Sequence, residues 1–102
     1  MNNAYSNHIE KLYKEQHNIL AELYDQHTTL WLARQEEAQS SRSAVIIEAL
    51  QAHIDKINGK IKSRIQAIHY YGELHALELE KEGRAEEADQ LRTDLEGNYP
   101  TV

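Results

Sequence analysis

The sequence predicts an all-α fold: a long antiparallel helical hairpin with a short C-terminal helix, completed by dimerisation into a helical bundle. Three observations carry this. The strong helix formers Ala, Leu, Glu, Gln, Lys and Arg dominate, while the 102 residues hold one Pro (Pro100), four Gly and no Phe. Apolar residues recur in three- and four-residue steps over two long stretches. Between those stretches lies "RQEEAQSSRS", residues 34–43, with no large apolar side chain. At this length the chain reads as a single helical domain spanning 1–102.

The first helix is expected over about 7–39. Ile9, Leu12, Ile19, Leu23, Leu30 and Ala33 form one stripe, with Gln16 and Gln26 in its polar slots. A second stripe lies one residue on, about 100° around the helix. It runs Tyr13, His17, Leu20, Tyr24, His27, Trp31, in the 4-3-4-3-4 steps of a coiled coil. A face this wide implies two packing partners.

The bend is placed at 34–43, where Ser41 or Ser43 offers an N-cap. A second helix is expected over about 43–81, led by Ile46, Ile47, Leu50, Ile54, Ile57, Ile61, Ile65 and Ile68 and continued by Gly72, Ala76 and Leu79. Asn58-Gly59 is a strong turn signal inside this run. A break there would replace the hairpin with a compact four-helix monomer. The apolar steps keep their phase across it, however. Glycine in a helix costs about 1 kcal/mol against alanine, less than the roughly 1.5–3 kcal/mol gained by burying each flanking isoleucine. Near the end of this helix Ala67, Tyr70, Leu74 and Leu77 make an extra face, on which the last helix is expected to fold.

In "EKEGRAEEA" Gly83 suits the left-handed residue that ends a helix. Glu86 and Glu87 then fall in the first turn of a short helix over about 84–96, where the helix dipole favours acids. Ala88, Leu91 and Leu95 share its apolar face. The stretch "LEKEGRAEEADQL" resembles the turn of a tetratricopeptide-type helix pair, and Pro100 falls near where that repeat ends. It occurs once, and Leu79 and Arg92 hold the positions that are aromatic in the repeat. The resemblance therefore extends to turn chemistry alone.

Net charge is −6, distributed as −2 over 1–42, +2 over 43–72 and −6 over 73–102. An acidic balance disfavours nucleic acid and anionic membranes, which demand cations. The exceptions are a basic flank, Lys56, Lys60 and Arg64, beside the isoleucine seam. At the opposite extreme, Glu78, Glu82, Glu86 and Glu87 form a candidate acidic partner surface. Cysteine is absent, which suits a reducing compartment, and no stretch reads as an export signal or membrane span. A cytoplasmic location is expected.

No catalytic set emerges. Helical metal centres use Glu-x-x-His or closely spaced ligands from adjacent helices, and the six histidines form no such pair; the nearest is His69 with Glu73. Glu86 and Asp89 make a Glu-x-x-Asp on the short last helix, with no apolar neighbourhood to form a pocket. No phosphate-binding loop or nucleophile elbow is present. The expectation is a protein without enzymatic activity, metal or cofactor. It would act through helix faces as a homodimeric protein–protein interaction module, with Tyr13, His17, Leu20, Tyr24, His27 and Trp31 as the interface. The alternative is a small acidic inhibitor, of antitoxin or anti-defence type, that blocks a basic or nucleic-acid-binding surface of a target protein.

Overall fold

Ser43 starts the second arm of the hairpin. Its backbone is extended and its Oγ accepts the Ile46 N–H, so it supplies the N-cap that the polar stretch promised. The structure, a computed structural model, describes residues 4–40 and 43–99. The other cap candidate, Ser41, lies outside the described residues, as does Pro100. Three helices follow in order: α1 Ala4–Gln39, α2 Ala44–Lys81 and α3 Ala85–Asn98. Helix α1 begins a turn earlier than periodicity suggests, and Ser6 in that turn donates from Oγ to Glu82 at 2.7 Å.

Helix α2 runs unbroken through Asn58 and Gly59. Ile54, Ile57 and Ile61 are buried on either side of the glycine, so the seam keeps its phase. A Cβ added at Gly59 would meet nothing within 4 Å. The glycine is exposed, and no internal contact requires it.

The turn into α3 rests on Gly83, whose φ is +78°. Its N–H bonds to the Glu80 carbonyl at 3.0 Å, and the Arg84 N–H bonds to the Leu79 carbonyl at 2.8 Å. This is the paired pattern of a Schellman cap, and it reverses the chain so that α3 runs back along α2. The expected receiving face is not the one used. Tyr70 and Leu77 remain 63% and 42% exposed. Helix α3 packs instead along Gly72, Ala76 and Leu79, because Gly72 leaves a notch. A Cβ there would lie 2.5 Å from Leu95 Cδ1 and 3.2 Å from Tyr13 Cε1. Leu95 fills that space and reaches the α1–α2 seam.

The most completely buried large side chains, Leu20 and Ile68, belong to one cluster with Leu95, Leu23, Ile57 and Ile61. A smaller cluster joins Ala76, Leu79 and Ala88. The core is therefore deepest where three helices meet. With a rise of 1.5 Å per residue, α3 covers about 21 Å of a hairpin about 55 Å long. The remainder is two helices thick. The molecule measures 61 × 24 × 15 Å, with a radius of gyration of 18.5 Å; a compact chain of this length would have about 13 Å.

Candidate functional site

The aromatic stripe of α1 divides at the end of α3. Its first half forms a socket for the C-terminal end of that helix. His17 Nδ1 and the Tyr99 hydroxyl are hydrogen-bonded at 3.1 Å, and His69 Nε2 faces the Tyr99 carbonyl within hydrogen-bond reach. Tyr13 meets His17 edge-on with ring centroids 4.7 Å apart, and His75 tilts against its other side at 5.8 Å. Burial pushes the His17 imidazole below its ordinary pKa and the Tyr13 phenol above its own. Leu20 is core. Tyr13, His17 and Leu20 thus hold the chain's own third helix, a use that periodicity alone did not separate from intermolecular contact.

The second half of the stripe is bare. Tyr24 and Trp31 are each 46% exposed, and His27 between them is half-buried. They stand two turns apart on one line of α1, about 10 Å along the axis. Leu32, Val45 and Ile46, in the same part of the hairpin beyond α3, are also exposed. Isolated exposed apolar residues are ordinary; here the exposed aromatics share one line in the two-helix portion of the molecule.

The basic flank lies on the other side of the seam. Lys60 is about 180° around α2 from His69, which faces α3 through Tyr99. Lys56 and Lys60 are exposed and have no ion-pair partner among the described residues. Arg64 is half-buried, and its Nη1 donates to Gln16 Oε1 across the seam. Gln16 in turn donates to the Leu12 carbonyl at 3.2 Å. This explains a buried glutamine in the apolar stripe: it satisfies the arginine that the opposite helix brings in.

Several acids of the acidic end are engaged from within. Glu78 is buried and pairs with Lys81 at 3.1 Å. Glu82 accepts from Ser6 and from Arg84. Glu87 also takes Arg84, while Arg92 bridges Glu73 at 2.8 Å and Glu80. The Ser6 hydroxyl and the Arg84 guanidinium hold the Glu82 carboxyl below its ordinary pKa, and Arg84 and Arg92 do the same for Glu87 and Glu73. Glu86 is exposed and makes no ion pair among the described residues. Sequence reasoning missed Arg92, Tyr99 and Ser6. Arg92 carried a signal, a cation on a helix otherwise rich in acids.

Among the described residues no group of three or more His, Asp or Glu could hold a metal ion, and no helix is long and apolar enough to cross a membrane. Comparison with family models, with curated proteins and with solved structures finds no match for this chain.

Proposed function

We propose that this protein is a non-enzymatic interaction module that works as a homodimer, with the Tyr24–Trp31 line of α1 in the self-interface. The observation that carries the reading is that this aromatic line continues past the end of α3, where Tyr24 and Trp31 stay exposed. Tyr and Trp are the residue types that dominate interface hot spots. Surface area supports the same conclusion. A folded 11.8 kDa monomer is expected to expose about 5,900 Å², whereas this chain exposes 7120 Å². The excess, on the order of 1,200 Å², exceeds the ~800 Å² that each partner gives to a standard interface. Two hairpins laid together would form a four-helix bundle with the α3 helices outside its centre.

Light scattering on purified protein tests this. The expected mass is twice the 11.8 kDa of one chain, and the Tyr24→Ala/Trp31→Ala double variant is expected to be a monomer of unchanged helical content. A monomeric parent, or a double variant that dimerises with unaltered stability, rejects the reading. The acidic-inhibitor alternative draws less support. Of Glu78, Glu82, Glu86 and Glu87, three are already engaged by the chain's own cations or by Ser6.

A further inference from the structure

We infer that the flank carrying Lys56, Gly59 and Lys60 is a second docking surface, built for an acidic amphipathic helix of a partner protein. Two adjoining shallow depressions, of about 500 and 570 Å³, run along this side of the hairpin and share both lysines. Ile19, Leu23, Leu30 and Ile57 supply apolar lining between the helices. Lys56 and Lys60 supply two exposed cations without ion-pair partners among the described residues. Asp25 is the acid that lines the groove, and His53 stands beside Lys56 in the same depression. Arg64 lines one end of the groove, with its Nη1 held by Gln16.

Gly59 is the second observation. It weakens a helix that no internal contact requires it to weaken, it is open to solvent, and it lines this groove. A glycine on a helix surface lets another side chain or backbone come close. The molecule already shows that arrangement on its opposite flank. There α3 lies along α2, sinks Leu95 into the space left by Gly72, and locks Arg92 onto Glu73 and Glu80. Around Gly59 the space is open and the charged groups are lysines, so the charge is reversed. The complementary occupant is a helix with a leucine-type residue for the Gly59 notch and carboxylates for Lys56 and Lys60. A second copy of the same face would set lysine against lysine.

This surface is separate from the self-interface: Gln26, in the groove, is about 140° around α1 from Trp31. The two proposals therefore fail independently. The test is fluorescence anisotropy with a labelled amphipathic peptide of about 20 residues, leucine at helical spacing and glutamate on its flanks. The same peptide with lysine flanks and a short DNA duplex serve as the other probes. The acidic peptide is expected to saturate the parent protein, more weakly as salt rises, with the lysine peptide at least about tenfold weaker. Lys56→Glu/Lys60→Glu is expected to reverse that preference. Gly59→Met is expected to weaken the acidic peptide about tenfold or more, with mass and circular dichroism unchanged, while Gly59→Ala binds nearly as the parent does. No saturation, equal affinity for the two peptides, tighter binding of DNA, or parent-like affinity of Gly59→Met overturns the proposal. So does loss of the dimer in the lysine variant, which would place self-association on this face.

Discussion

A methyl group at Gly72 has nowhere to go, since Leu95 and the Tyr13 ring already occupy the space; at Gly59 it would meet open solvent. The same substitution should therefore act with opposite sign at the two positions. Gly72→Ala is expected to destabilise by about 1–3 kcal/mol through overpacking. Gly59→Ala is expected to stabilise by up to about 1 kcal/mol through helix propensity. Urea denaturation of both variants checks the pair. Residue chemistry also gives α3 a pH dependence. His17 is hydrogen-bonded to the Tyr99 hydroxyl in a half-buried site, where desolvation penalises a charged imidazole. Its folded pKa is depressed, so its contribution is present above the unfolded value near 6.5 and is lost as pH falls through the folded value. The depressed carboxyls of Glu73, Glu82 and Glu87 contribute in the same direction at lower pH. Chemical-shift titration should show His17 protonating below its ordinary pKa, with α3 losing amide protection on the acid side. Equal protection at pH 7 and pH 5 would contradict this.

At the scale of elements, the two long helices were legible from spacing alone, because isoleucine at 54, 57, 61, 65 and 68 outweighs a turn signal of two residues. Gly83 and Ser43 were legible as punctuation for the same reason: one requires a positive φ and the other offers an oxygen to a free N–H. The seat of α3 was not legible. Tyr70 and Leu77 form a more apolar face than Gly72, and hydrophobic pattern favours them. What decides the packing is depth, since only a residue without a side chain admits Leu95 to the seam. The division of the aromatic stripe was hidden by the same error, as it depends on where α3 ends. Arg92 anchors the packed helix from its rim. Arg92→Ala is expected to loosen α3 only modestly, given two partly exposed ion pairs. The cost should appear locally, as faster amide exchange over α3 with protection of the α1–α2 hairpin unchanged. A uniform loss across all three helices would show that α3 does not open on its own.

On the scale of the whole molecule, an elongated hairpin with one end thickened by α3 leaves two kinds of surface, aromatic on one flank and basic with a glycine notch on the other. The charge totals foreshadowed the basic flank but not that Lys56 and Lys60 stay without an ion-pair partner among the described residues. One further consequence follows from where the long-range bonds lie. Ser6 to Glu82 and His17 to Tyr99 join residues 76 and 82 positions apart, whereas the arms beside residues 34–43 meet after only a short loop. Closing the short loop costs little chain entropy, and the distant contacts become cheap only afterwards. The protein is expected to fold as a zipper that starts at the bend and runs towards the three-helix end. Substitutions such as Leu30→Ala and Leu50→Ala near the bend should slow folding, while Gly72→Ala and Tyr99→Phe should chiefly speed unfolding. On that route the exposed Tyr24–Trp31 line is formed before α3 has docked, so the self-interface proposed above would be available to a second chain while the first is still completing its core.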